Sequence, residues 1–252
     1  MIELVSQVFG SANLTRYVMF PSFMYGAQRN IISNNFPFYN NLSIVDKRYF
    51  EHRVLKFIKS HNFIGRQGLV ITKKKEILIA STAVMLTFGM RSYQFSQFDN
   101  IVIYPKNYLS RVTKKHHHGE INPRLRTIVF AWDNFMEGIQ TENTNLNLGL
   151  HELAHAMHFS FMRENSITAM LFLEHFNILL EKMKDVKLQR KIIDSGYLRI
   201  YGFKNKYEFL SVLIEHFFET PLEFNEKLPK VYEVVSLMLN LDLIKMSSKA
   251  SA

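Results

Sequence analysis

Residues 148–161 of the chain read LGLHELAHAMHFSF, and this apolar stretch decides the fold. Its apolar spacing predicts a helix over residues 147–161. Within that helix, His151, Glu152 and His155 form an H-E-x-x-H pattern. Histidines at positions i and i+4 lie on one face of a helix with Cβ atoms about 5 to 6 Å apart, so both imidazoles can reach one zinc ion. The glutamate can then reach a water on that ion, so the pattern predicts a catalytic metal site rather than two unrelated histidines.

Two histidines leave a catalytic zinc site one protein ligand short, because such sites commonly use three protein ligands and keep the fourth position for water. A metzincin would place a third histidine six residues after His155. That position is Phe161, so this subclass is excluded. His158 lies on the same face but one helical turn further along, too far for the same ion. We therefore expect His158 to line the wall of the site or to pack in the core.

The third ligand is expected to come from a later helix, predicted over residues 206–219. This helix offers three carboxylates, those of Glu208, Glu215 and Glu219. Helical periodicity does not choose between them, so the spacing alone leaves all three open as ligands.

A second stretch, residues 201–209 with the sequence YGFKNKYEF, follows the metal-binding pattern. Together with residues 151–155 it resembles the Mlc titration factor A family of zinc metallopeptidases, which is similar to the catalytic domain of anthrax lethal factor. In both, a tyrosine stands seven residues before the ligand glutamate, and Tyr201 and Glu208 fit that interval. The resemblance implies Glu208 as the third ligand, with Glu215 as the alternative. As a non-ligand, Glu215 is expected to accept the second ring N–H of a ligating histidine or to pack.

The resemblance extends over residues 37–241. Its further landmarks are IVIYP at residues 101–105, AWD at residues 131–133 and EHFFETP at residues 215–221. It implies a zincin-like fold, a Zn²⁺ cofactor and a peptide or protein substrate. It also implies a rival function of a different class, in which the protein binds and sequesters a transcriptional repressor and hydrolysis is secondary or absent.

The leading hypothesis is that the protein is a zinc peptidase of the gluzincin type, in which His151, His155 and Glu208 bind the metal. Zinc polarises a water and the scissile carbonyl, Glu152 takes the proton of the water and passes it to the leaving amine, and Tyr201 donates to the developing oxyanion. A purely structural zinc site needs no general base. The presence of Glu152 therefore favours the enzyme over the binding protein.

The composition of the chain excludes several other classes. Its 252 residues are 47% hydrophobic and 21% charged, with only 10 Gly and 6 Pro, which excludes collagen-like and disordered chains. It has no cysteine, which excludes disulfide frameworks, thiol nucleophiles and cysteine zinc fingers. The net charge of +9 is spread along the chain apart from residues 73–75 and 111–118, so nucleic-acid binding is disfavoured. We expect His116 to His118 in a solvated basic loop.

The order of predicted elements indicates an α+β fold, with a small mixed sheet packed on a mainly helical body. Short β-branched or aromatic segments predict strands at residues 69–72, 101–104 and 127–132. Helical spacing predicts helices at residues 46–61, 77–88, 147–161, 167–185, 206–219 and 229–241, the second of them starting near Thr72.

The sequence predicts one metallopeptidase domain over residues 37–246, after an irregular segment over residues 1–36 and before a disordered tail over residues 247–252. The start of the chain has no basic region followed by a compact apolar region, so we expect no secretory signal and a cytoplasmic location. The longest nearly apolar run, residues 77–90, is shorter than the roughly 18 residues of a membrane span.

Overall fold

The structure, a computed structural model, describes residues 18, 21–109, 114, 116–141 and 143–250. Helices predominate among these residues. They are α1 Gly26–Ser33, α2 Pro37–Asn40, α3 Ile44–Ser60, α4 Lys73–Leu86, α5 Trp132–Gln140, α6 Leu148–Phe161, α7 Ile167–Lys182, α8 Val186–Asp194, α9 Lys206–Glu219, α10 Pro221–Lys227, α11 Pro229–Leu239 and α12 Leu243–Ala250, with a 3₁₀ turn at Ile200–Lys204. The strands are β1 Asn62–Gly65, β2 Asn100–Tyr104, β3 Tyr108–Leu109, β4 His116–His117, β5 Gly119–Asn122 and β6 Thr127–Ala131.

Four strands form a mixed sheet in the order β1-β2-β6-β5. The strands β1, β2 and β6 run parallel, and β5 pairs antiparallel with β6 at one edge. The central strands are apolar and largely buried, with Ile101, Ile103, Ile128 and Phe130 fully enclosed. A helical chain with one small mixed sheet confirms the predicted α+β class.

The first strand of the sheet lies earlier in the chain than predicted. The strand predicted over residues 69–72 is absent, because residues 66–69 form a turn in which Gln67 and Gly68 have φ angles of 51° and 77°. Thr72 instead caps α4 by accepting a hydrogen bond from the backbone N–H of Lys75. The segment that pairs with β2 is residues 62–65, whose composition gives no strong strand signal.

The long predicted helices and the other two strands are confirmed within a few residues. The strand predicted over residues 127–132 ends at Ala131, because Trp132 starts α5. Six helices, α1, α2, α5, α8, α10 and α12, were not expected from the sequence. Each of the six has nine residues or fewer, which is too short for its apolar residues to form a clear helical pattern.

The described residues near both ends of the chain are more helical than predicted. Within the segment expected to be irregular, residues 26–33 form α1, and Ile32 and Met24 pack in the same core as the rest of the chain. Residues 1–17, 19 and 20 lie outside the described residues. At the other end, α12 continues through Ala250, so residues 247–250 of the predicted disordered tail are helical.

The histidine run is not a loop. His116 and His117 form β4, which pairs antiparallel with β3, and Gly119 then opens β5. No helix among the described residues is long and apolar enough to cross a membrane.

The helix α6 lies at the centre of the molecule. It contacts β5 and β6 on one side and α4 and α9 on others. Its residues Leu150, Leu153, Ala154, Ala156 and Met157 are fully buried in the main hydrophobic core. The core thereby fixes α6 between the sheet and α9, and the side chains on its remaining face form the candidate site.

Candidate metal centre

The start of α6 is anchored by one asparagine. Asn147 caps the helix, with its Oδ1 accepting from the N–H of Leu150 at 3.0 Å. Its Nδ2 donates to the carbonyl of Gly138 at 2.7 Å, and its backbone N–H donates to Glu215 at 2.7 Å. The cap therefore links α6 to α5 and α9 one turn before His151.

Three ligand atoms from two helices lie close together. The Nε2 atoms of His151 and His155 are 3.2 Å apart. Glu208 Oε2, from the first turn of α9, lies 3.0 Å from Nε2 of His151 and 3.5 Å from Nε2 of His155. All three side chains are partly buried and each offers one ligand atom within 4.8 Å of the others.

This donor set fits a divalent metal ion. It consists of two imidazole nitrogens and one carboxylate oxygen, the combination found at three-ligand catalytic zinc sites. Glu208 Oε2 is buried and has no aligned hydrogen bond within the described part of the chain. A buried carboxylate oxygen aimed at two imidazoles without such a bond is well suited to coordinate a cation between them.

The charges of the cluster also favour a cation. Burial would lower the pKa of His151, but the adjacent carboxylates of Glu208 and Glu215 raise it to about 10. Burial would raise the pKa of Glu208, but the two histidines hold it well below its ordinary value. The carboxylates therefore stabilise positive charge here, whether it is carried by a proton or by a metal ion.

The orientation of Glu208 depends on the start of α9. Asn205 caps this helix, and its Oδ1 accepts from the backbone N–H groups of Tyr207 and Glu208 at 2.9 and 3.0 Å. The cap fixes the backbone at the residue whose carboxylate enters the cluster.

Glu215 lies on the other side of the His151 ring. Its Oε1 is 2.9 Å from Nδ1 of His151, and its Oε2 accepts from the N–H of Asn147. Arg199 donates a further hydrogen bond to Oε1. Glu215 is 2% exposed, and these partners satisfy its buried carboxylate oxygens. The structure therefore places Glu215 where it orients His151, and not among the three clustered ligand atoms.

Glu219, the third carboxylate of α9, is also outside the cluster. One of its oxygens accepts from Asn147 Nδ2 at 3.1 Å. Its contribution is to the helix cap and not to the cluster.

Glu152 lies one position around α6 from His151 and is 7% exposed. Burial raises the pKa of its carboxyl group, an effect that the charges of His151 and His155 oppose. A carboxyl group with a raised pKa next to a cation site is typical of a general acid or base.

Tyr201 lies at the open edge of the cluster, on the 3₁₀ turn before α9. Its ring centroid is 6.2 Å from that of His151, and about half of its surface is exposed. Burial of the rest and the negative charge of Glu208 raise the pKa of its hydroxyl group. The hydroxyl therefore keeps its proton at neutral pH and can act as a donor.

His158 is a core residue, as predicted. It is 4% exposed, and its ring contacts those of Phe172, Phe176 and Tyr207. Burial lowers its pKa to about 4.

Two polar residues near the cluster were not identified from the sequence, namely Arg199 and Ser211. Ser211 Oγ donates to the carbonyl oxygen of His151 at 3.2 Å and lies 3.4 Å from both nitrogens of His155. Glu208, Ser211 and Glu215 are spaced by three and four residues, so the face of α9 that meets α6 was readable from helical spacing. Arg199 lies outside any such pattern.

A cluster of side chains that could bind a metal, contributed by two helices and next to a buried carboxyl group, is typical of a metallopeptidase. The chain belongs to the glucose-regulated metallo-peptidase M90 family, whose sequence pattern matches residues 20–239. This is the Mlc titration factor A family that residues 151–155 and 201–209 resemble. The match begins earlier than residue 37, where the sequence resemblance was placed.

The chain is also similar to an uncharacterized protein of Synechocystis sp.. The two are 23% identical over an alignment of 227 residues, which covers 81% of this chain and 80% of the relative. The similarity thus extends over most of both chains.

Proposed function

We propose that this protein is a zinc-dependent peptidase of the gluzincin type with a zincin-like fold, in which His151, His155 and Glu208 hold the metal. The observation that carries the proposal is the meeting of two imidazole nitrogens from α6 and one carboxylate oxygen from α9 within 4.8 Å. Two nitrogens and one oxygen suit Zn²⁺ and leave a position for water or substrate. When bound, the metal would polarise a water and the scissile carbonyl and stabilise negative charge.

The protein supplies the proton transfers through Glu152. Its carboxylate takes a proton from the attacking water and returns it to the leaving amine. Its burial raises its pKa, which strengthens it as a base toward the water and keeps the accepted proton available for the leaving amine.

Tyr201 and Glu215 have separate tasks in this proposal. Tyr201 is half exposed, and its hydroxyl donates a hydrogen bond to the oxyanion that forms from the carbonyl. Glu215 accepts the Nδ1–H of His151, which leaves Nε2 of that ring free to bind the metal.

The test compares Glu152→Gln with the wild-type protein and with Glu174→Gln, an exposed glutamate on α7. We expect both variants to bind one zinc per chain by elemental analysis. Peptide hydrolysis should fall about 10²- to 10⁴-fold in Glu152→Gln and stay unchanged in Glu174→Gln. Wild-type protein that binds no metal, or hydrolysis that survives in Glu152→Gln or in the presence of a chelator, would contradict the proposal.

A second candidate, which the resemblance to the Mlc titration factor A family implies, is a cytoplasmic regulatory protein that binds and sequesters a transcriptional repressor. Binding of a partner needs no proton transfer, so Glu152→Gln should then act in cells like the wild type. Loss of both hydrolysis and cellular function in this variant, with zinc retained, assigns the biological role to the peptidase.

A further inference from the structure

One glycine of the edge strand lies directly against Glu152. Gly119 opens β5 and pairs with Phe130 of β6. The carbonyl of its neighbour His118 accepts a hydrogen bond from the N–H of Ala131 at 2.7 Å. The backbone at Gly119 is thus tied to a strand whose residues are buried.

The contact leaves no room for a side chain. A Cβ atom added at Gly119 would lie 2.6 Å from Cγ of Glu152 and 2.9 Å from its Cδ and Oε1. These separations are well inside van der Waals contact between carbon atoms, which is about 3.5 to 4.0 Å. The backbone of Gly119 has no positive φ angle, unlike Gly68 and Gly196. Glycine is therefore needed here because it has no side chain, and not because of its conformational freedom.

Neither backbone can move away to relieve such a contact. Leu153 and Ala154 hold α6 in the core, where both are fully buried, and β5 is held by its ladder to β6. A methyl group at position 119 would therefore displace the Glu152 side chain itself.

We propose that Gly119 is a positioning residue, whose bare backbone packs against the Glu152 side chain and fixes the direction of its carboxylate. The catalytic part of this inference rests on the proposed peptidase function. The packing part does not, because it concerns only the contact between two residues of the folded chain.

The packing part is tested by a double-mutant cycle on stability. We expect Gly119→Ala to lower the urea midpoint of unfolding in the wild-type background. In the Glu152→Ala background, where Cγ, Cδ and Oε1 are absent, the same change should not lower the midpoint, because only the small stabilisation from replacing glycine with alanine remains. An equal shift in both backgrounds, or no shift in either, would overturn the proposal. If Gly119→Ala alone does not fold, the double variant should fold, and a double variant that also stays unfolded overturns the proposal.

The catalytic part is tested on folded Gly119→Ala protein. We expect kcat for peptide hydrolysis to fall about 10²- to 10⁴-fold, with KM and zinc content within twofold of the wild type, because the base is misdirected while the ligands are untouched. The control is Gly26→Ala, where an added Cβ meets nothing within 4 Å and kcat should not change. Coupling in stability with an unchanged kcat would overturn the positioning role. An inactive wild type would overturn it together with the proposed function, and the stability cycle would still report the contact.

Discussion

Two carboxylates on one face of α9 have different partners because of where each contacts His151. Glu208 meets the Nε2 side of the ring together with His155, whereas Glu215 meets the Nδ1 side together with Arg199. The two positions are seven residues apart, which is about two helical turns, so both side chains can reach the same imidazole from opposite sides. Their proposed roles, ligand and orienting acceptor, follow from this difference.

The two roles predict different losses of metal. Glu208→Ala removes one of three ligands, so we expect little zinc after dialysis. Glu215→Gln keeps the shape and an acceptor oxygen but loses the charge, so we expect zinc to remain with an affinity about 10- to 100-fold weaker. Chelator competition measures both. Full zinc in Glu208→Ala and none in Glu215→Gln would transfer the ligand role to Glu215.

The role of the Tyr201 hydroxyl can be tested by removing that one group. Tyr201→Phe removes only the proposed donor to the oxyanion. We expect zinc content to be unchanged and kcat to fall about 10²- to 10³-fold, the range for one lost donor. An unchanged kcat would make Tyr201 an ordinary half-exposed residue of the 3₁₀ turn.

At the scale of elements, the helix caps hold the cluster together. Asn205 caps α9 just before Glu208, and Asn147 caps α6 just before His151. Both ligand-bearing helices thus start within one or two turns of the cluster, where an end that frays would release a ligand.

The cap of α9 should therefore affect metal binding as well as stability. Asn205→Ala removes an acceptor for two N–H groups, so we expect a loss of about 1 kcal/mol in unfolding free energy and weaker zinc binding. Ser166→Ala is the control, because Ser166 also caps a helix, α7, by accepting from the backbone N–H of Ala169, and that helix carries no ligand. Urea unfolding should report similar stability losses in the two variants. Chelator competition should report a reduced zinc affinity in Asn205→Ala alone. Equal zinc affinity in the two variants would contradict this coupling.

At the scale of the whole molecule, two buried histidines outside the cluster make stability depend on pH. His158 and His216 are 4% and 1% exposed, and burial lowers the pKa of each to about 4. Neither nitrogen of His216 has a hydrogen bond among the described residues. In the unfolded chain a histidine titrates near pH 6.5, so between pH 6.5 and 4 the unfolded state binds more protons than the folded state. The folded state is therefore destabilised as the pH falls through this window.

Removing one of these histidines should make the free energy of unfolding depend less on pH. For metal-free protein with chelator present, we expect His158→Phe to reduce the loss of unfolding free energy between pH 7.5 and pH 5 by about 2 kcal/mol. Phe172→Leu, a change in a ring that contacts His158, is the control and should lower stability equally at both pH values. Urea unfolding at the two pH values measures both. If His158→Phe and the wild type lose the same unfolding free energy between these two pH values, this histidine is not neutral in the folded protein.

The sequence by itself determined the features that depend on neighbouring residues. Helical spacing over residues 147–161 and 206–219 predicted α6 and α9, and the H-E-x-x-H pattern placed His151 and His155 on one face. These are local properties, because residues three and four apart on a helix are neighbours whatever the rest of the chain does.

The tertiary structure decided what depends on distant pairing. Spacing left Glu208, Glu215 and Glu219 equivalent. The family resemblance implied Glu208, and the packing of α9 against α6 brings an oxygen of that residue close to both histidines. It also decided that residues 62–65, and not residues 69–72, pair with β2, because strand pairing is a contact between segments far apart in sequence. The contact of Gly119 with Glu152 has the same origin, since it joins a strand and a helix that come together only when the sheet packs on the core.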